Sequence, residues 1–173
     1  MSQGGIRLET ARLVLRPPDL ADVPEMFAAI TPELTRYLSF DPPASVEVLA
    51  DIVASWRTGR MAGDDLHFAL RSRDDGIFVG MAGLHALRTS EPEIGIWIRE
   101  ALHGRGLGRE AIAGLAGFAF RDLGVASLLY PVAVANLPSR RLVEGLGGVP
   151  CGSRSHRKYE AVVYRLTREK LPG

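Results

Sequence analysis

A chain of 173 residues with 46% apolar and 24% charged side chains has the length and composition of one globular domain with a sizeable core. Its formal net charge of +1 gives no general electrostatic attraction for nucleic acid, and no apolar run approaches the roughly 18 residues of a membrane span. A single cysteine, Cys151, excludes an internal disulfide and suits a reducing, cytoplasmic compartment, while residues 1–5 lead into no apolar signal segment.

Residues 1–11 carry no periodic pattern and are expected to be loose. Arg12-Leu-Val-Leu-Arg16 alternates charge and bulk as a strand, ended by Pro17 and Pro18. Asp19 or Asp22 can cap the helix that follows to about Ile30. Pro24, tolerated only in a first turn, favours Asp22, and Val23, Met26, Phe27 and Ile30 share one face. Residues 31–43 form an irregular link containing Tyr37, Leu38 and Phe40. Ser45 can cap a second helix to about Arg57, carrying Val48, Leu49, Ile52, Val53 and Trp56.

The pattern then turns to strands. Residues 66–71 and 77–84, joined by Asp74-Asp75-Gly76, predict a hairpin, and residues 91–98 a further strand. A helix is predicted over 107–123 with Gly124 as its stop, then a strand over 127–134, in which Pro131 removes one ladder donor and suits an edge or splayed strand. Asn136 caps a short helix with Pro138 in its first turn and Gly147 as its stop. Two strands, at about 149–153 and 159–166, complete a mixed α/β domain over residues 1–173, with a sheet of about seven strands. Between them Arg154, His156, Arg157 and Lys158 cluster, either as a solvated loop or as a site. The four histidines, His67, His85, His103 and His156, lack metal-ligand spacing, so no metal is expected.

The stretch His103-Gly104-Arg105-Gly106-Leu107-Gly108 joins a predicted strand to a predicted helix. Glycines let a ligand approach the backbone, a helix N-terminus favours an anion, and Arg105 and Arg109 add positive charge. Those features describe a pyrophosphate cradle, or else a plain glycine-rich turn. No Gly-Lys-Ser/Thr of a P-loop occurs. The dinucleotide pattern fits formally only from Gly106 to Ala111, seven residues removed from its strand.

His103-x-x-Gly106-x-Gly108 resembles the coenzyme A loop of the GNAT acyltransferase superfamily, with His103 in place of the usual Gln or Arg. The resemblance extends over nearly the whole chain. Leu8-x-Thr10-x-Arg12-Leu13-x-Leu15-Arg16, Glu93-Ile94-Gly95-Ile96-Trp97-Ile98 and Asn136-x-x-Ser139 are similar to phrases of the RimJ/RimL-like branch. It implies a GNAT-like sheet with helices on both faces and a cleft splayed between the fourth and fifth strands. It also implies acetyl-CoA as co-substrate, contacted by Ile96, Trp97, Ile98, His103, Gly104, Arg105, Gly106, Leu107, Gly108, Arg109, Asn136 and Ser139.

Many family members carry a Tyr acid seven residues after the helix Asn, where this chain has Val143. The branch's Ser139 is the alternative thiolate donor, or a helix cap. Glu93 matches a strand Glu used as base, directly or through water, though it needs burial to serve. His85 and His67 are the other candidates. Tyr37, Phe40 and Trp56, with His85, are expected to wall the acceptor cleft, unless the aromatics simply pack the core. The implied activity is direct acetyl transfer in a ternary complex to a primary amine, first of all a peptide or protein N-terminal α-amine. A small amine such as an amino acid, polyamine or aminoglycoside is the second reading, and a non-catalytic acyl-CoA sensor the third. No nucleic-acid or membrane partner is expected, and a homodimer is allowed.

Overall fold

The computed structural model describes residues 5–172. Along the chain stand β1 (Leu8–Glu9), β2 (Leu13–Arg16), α1 (Val23–Ala29), α2 (Pro32–Thr35), α3 (Val46–Ala62), β3 (Leu66–Ser72), β4 (Phe78–His85) and β5 (Glu93–Ile98). They are followed by α4 (Leu107–Asp122), β6 (Ser127–Ala133), α5 (Leu137–Gly145), β7 (Val149–Ser155) and β8 (Glu160–Thr167). The strands form one sheet in the order β1-β2-β3-β4-β5-β6-β8-β7. Every adjacent pair is antiparallel except β5 and β6.

The sheet has eight strands because part of the supposedly loose start is ordered. Leu8 and Glu9 pair with Leu15 and Val14 across a turn closed by Thr10 N–H donating to Leu13 O at 2.9 Å. Residues 1–4 of that expected loose segment lie outside the described residues. The second predicted helix also runs further than expected, to Ala62. Gly59 tolerates the helix interior, and the stop is Gly63, which turns left-handed at φ 71° and donates its N–H to Arg60 O at 3.1 Å. Within the irregular link, Thr31 caps the short α2 by accepting from Leu34 N–H at 3.0 Å.

Side chains alternate across the strands, so the sheet carries a core on each face. Phe68, Leu70, Leu84, Ile94 and Tyr130 pack under Ile112, Leu115 and Phe118 of α4 and Val143 of α5. On the opposite face Ala69, Phe78 and Met81 pack under Val23 and Met26 of α1 and Leu49 and Val53 of α3.

Asp22 has a different role from the cap expected of it. Its side chain caps nothing on α1; Asp19 instead accepts from Ala21 N–H at 2.8 Å. The fully buried Asp22 carboxylate accepts from Arg16 Nη1 at 2.8 Å, Arg71 Nη2 at 2.6 Å and Asp19 N–H at 2.9 Å. Burial pushes its carboxyl upward, but the hydrogen bonds from Arg16 and Arg71 outweigh that and hold it below the ordinary aspartate value. Among the described residues no helix is long and apolar enough to cross a membrane.

Candidate active site

β5 and β6 meet at one register position, Glu93 opposite Leu129, and then diverge. Pro131 supplies no N–H toward β5, while β6 pairs with β8 continuously from Ser127–Thr167 to Ala133–Ala161. Of the two expectations for the proline-bearing strand, the splayed one holds, inside the sheet and not at its edge. The divergence leaves the β6-facing backbone of residues 94–98 outside any ladder. A cavity of about 630 Å³ opens there, reaching from the link before α3 to the β7–β8 hairpin.

The cavity brings together Tyr37, Phe40, Trp56, His85, Glu93, Ile96, Trp97, Asn136 and Ser139, which lie on five separate stretches of sequence. On the α5 side, Asn136 Oδ1 accepts from Ser139 N–H at 3.3 Å and so caps the helix. The Ser139 hydroxyl remains available and lies 2.7 Å from the Tyr130 hydroxyl. Tyr130 is 3% exposed, and burial pushes its phenol up to about 12, against the opposing effect of its hydrogen bond with Ser139. The phenol therefore keeps its proton at neutral pH. Tyr130 was not singled out in the sequence; its only signal was its position on a strand that Ser139 could reach across a short turn. Val143, at the position of the usual family acid, is fully buried in the core.

On the other face the wall is aromatic and imidazole. Trp56 stacks on His67 with ring centroids 4.1 Å apart, and His67 meets His85 edge-on at 5.1 Å. His67 Nδ1 is buried without a hydrogen-bond partner, and burial, aided by the neighbouring His85, lowers its pKa to about 4. A neutral imidazole results. Glu93 reaches the cavity but accepts from Arg154 Nη1 at 2.5 Å, and its side chain is 30% exposed. The burial required of a stronger base is absent.

The basic cluster before β8 is tied into this wall. Lys158 Nζ donates to Thr35 O and Phe40 O, both at 2.8 Å, and to Asp41 Oδ1 at 3.1 Å. Arg157 bonds the other Asp41 oxygen. These contacts hold the link carrying Tyr37 and Phe40 against the β7–β8 hairpin.

Ile98, the last residue of β5, and residues 103–109 beyond it stand apart from the cavity lining. Gly104 and Gly106 are both left-handed, at φ 75° and 74°, and Gly106 is the N-cap of α4 with no side chain bonded to the helix's free amides. Leu107, Gly108 and Arg109 therefore present N–H groups at the positive end of a 16-residue helix. A Cβ on Gly108 would fall 3.0 Å from Leu142 Cδ1, so this glycine allows α4 and α5 to approach. His103 Nε2–H donates to Ile98 O at 2.5 Å, and Arg109 Nη2 donates to Gly145 O at 3.0 Å; both side chains brace the loop. Arg12 braces it from the β1–β2 turn, donating to Arg105 O at 2.9 Å and to Glu110 Oε2 at 2.6 Å. Thr10 Oγ1 donates to the other Glu110 oxygen at 2.6 Å. The Thr-x-Arg phrase near the start thus fastens the first turn of α4.

A family model described as an acetyltransferase (GNAT) domain matches residues 12–149. The chain belongs to the GNAT acetyltransferase family. It is 28% identical to a Bacillus subtilis (strain 168) protein named "Putative ribosomal N-acetyltransferase YdaF", over 95% of this chain and 93% of that one. Mycobacterium smegmatis RimJ, solved with CoA-disulfide, shares its fold with a TM-score of 0.87 at 19% identity, covering 98% of this chain and 91% of that one. RimL, a ribosomal L7/L12 alpha-N-protein acetyltransferase solved with coenzyme A, superposes with a TM-score of 0.83 at 16% identity, over 94% and 98% of the two chains. This GNAT chain is accordingly an N-acetyltransferase that draws on acetyl-CoA. The β6-facing backbone of β5 and the first amides of α4 are left without partners in the sheet and the helix.

Proposed function

We propose that this GNAT acetyltransferase transfers acetyl from acetyl-CoA to the N-terminal α-amine of a peptide or protein. The single observation that carries the reading is the cavity of about 630 Å³ at the β5–β6 splay, reaching on one side to the Tyr130–Ser139 hydroxyl pair and on the other to the Trp56, His67 and His85 wall. A chain end can enter from the wall side while the pantetheine arm lies along β5. The names of the Bacillus subtilis relative, RimJ and RimL support a ribosomal-protein acceptor. An α-amine, with an ordinary pKa of about 7.7–8.0, also yields its free form far more readily than lysine at about 10.4.

In this reading the α4 amides around Gly106 and Gly108 hold the pyrophosphate, with Arg105 nearby. The β5 backbone at Ile96, Trp97 and Ile98 aligns the arm as an added strand. Ser139, hydrogen-bonded to the protonated Tyr130 phenol, gives its proton to the departing thiolate. Glu93, at the cavity edge beside Arg154, accepts a hydrogen bond from the incoming amine.

Short peptides with free and blocked N-termini should be compared with polyamines, amino acids and aminoglycosides, with thiol release as readout. Free-N-terminus peptides are expected to give the highest kcat/KM and blocked ones none. A small amine that outruns every free peptide would replace this acceptor with a small molecule.

A further inference from the structure

We propose that His85, oriented by Asp65, is the base that takes the proton from the acceptor amine. The inference rests on the acetyl-transfer reading above and assigns it a proton acceptor. Three observations converge on His85.

First, its two ring nitrogens face different surroundings. Nδ1 lies 3.4 Å from Asp65 Oδ1, while Nε2 lies over the backbone of Gly83, where a Cβ would come within 2.6 Å of it. Gly83 pairs in register with Gly95, and nothing stands within 4 Å of a Cβ built on Gly95. Two adjacent glycines therefore make a bare strip of cavity floor, and the His85 ring is laid back over it. A carboxylate near Nδ1, with no hydrogen bond to Nε2 among the described residues, is an arrangement in which an imidazole can accept a proton.

Second, Asp65 is itself positioned. Its Oδ1 accepts from Ala86 N–H at 3.1 Å, and Ala86 is the one described non-glycine residue with a positive φ, at 53°. A left-handed alanine costs about 1–3 kcal/mol and persists where surrounding contacts hold it. Here it turns the chain straight after His85, and the amide so presented meets the carboxylate that faces the ring.

Third, the other groups around His85 are unsuited to the same task. His67 from β3 is kept neutral by burial and stacks flat on Trp56. Glu93, the register partner of His85 on β5, is bonded to Arg154 of β7. Asp65, His67, Glu93 and Arg154 are thus the titratable or charged groups facing His85 from the α3–β3 turn, β3, β5 and β7. None besides His85 combines an unengaged basic atom with a place over the open floor.

The proton balance is direct. His85 Nε2 takes one proton from the acceptor ammonium and later releases it to solvent. The freed amine nitrogen bonds the thioester carbonyl carbon as the carbon–sulfur bond breaks. Ser139 gives its hydroxyl proton to sulfur and regains one from the acylated nitrogen. The products are an amide and a thiol.

Wild type, His85→Gln, His85→Ala, Gly83→Ala and Glu93→Gln should be compared as full chains. Each is tested by kcat/KM against pH, with the best amine found in the acceptor screen, and by acetyl-CoA affinity. His85→Gln should lower kcat/KM by about 10²–10⁴-fold, lose the acidic limb of the profile and bind acetyl-CoA as wild type does. Added imidazole should restore part of the activity of His85→Ala, which a merely packing role would not allow. Gly83→Ala keeps both His85 and Asp65 but displaces the ring, and should lower kcat about tenfold or more. A His85→Gln enzyme with wild-type height and limb, or a limb lost only in Glu93→Gln, overturns the assignment. Because these profiles use whichever amine wild type prefers, a failure of the peptide reading appears in the acceptor screen and leaves the His85 result to be read separately.

Discussion

Ser139 stands in the first turn of α5, and its hydroxyl is 2.7 Å from that of Tyr130. The serine amide is already used by the Asn136 cap, so the hydroxyl's hydrogen bonding is directed at the tyrosine and the cavity. Burial keeps the phenol protonated, so it can donate to Ser139, which supports the proposal that the pair serves in place of the acid missing at Val143. Ser139→Ala is expected to lower kcat by roughly 10–10³-fold with acetyl-CoA affinity unchanged. Tyr130→Phe should act in the same direction and more weakly. Because the phenol acts through the serine, the double variant should be little worse than Ser139→Ala. Steady-state kinetics with calorimetric binding checks this, and a wild-type kcat in Ser139→Ala would return the residue to helix capping.

At the scale of elements, the loop before α4 is set by its backbone more than by its charges. Gly106 has φ 74°, and Arg12, His103 and Arg109 each spend hydrogen bonds on holding the loop and its helix in place. Gly106→Val puts a β-branched residue into a left-handed position, a strain of about 1–3 kcal/mol, where the amides must stay open. Acetyl-CoA binding should weaken about tenfold or more, measured by calorimetry. Wild-type affinity in a folded Gly106→Val variant would remove the loop from the binding site. The link of residues 31–43 illustrates the opposite case, an element with little regular structure held by distant contacts. Lys158 fixes it through two backbone carbonyls and Asp41, and so places Tyr37 and Phe40 in the cavity wall.

Across the whole molecule, Asp22 joins β2 to β3 beneath the start of α1 through Arg16 and Arg71. Its carboxyl is held below the ordinary value, so the stability it supplies is complete above the unfolded pKa of about 3.9 and is lost as pH falls through the lower folded value. Asp22→Asn leaves two guanidinium groups without their shared anion. Breaking a buried pair in this way costs about 3–5 kcal/mol, and the partial exposure of both arginines places the expected loss toward the lower figure. Urea unfolding should show a wild-type advantage that is constant between about pH 5 and 8 and shrinks below about pH 4. An advantage unchanged at pH 3 would show that Asp22 acts by shape and not by charge.

Local chemistry was enough to read much of this protein from its sequence. Two-residue and 3.6-residue periodicities mark strands and helices because each element buries one face, and glycine, proline and the small polar residues mark their ends because they suit those backbone positions. Tyr37, Phe40, Trp56, His85 and Ser139 were singled out through the family resemblance and not by periodicity, and all five line the cavity. Other features depended on residues far apart in the chain. The pairing of β1 depends on β2, the burial of Asp22 on Arg71 from β3, and the engagement of Glu93 on Arg154 from β7. Tyr130 and Asp65 gained their meaning only when folding set a second side chain beside each. Hydrogen bonds and ion pairs are decided within a few ångströms, a separation that no spacing along the chain encodes.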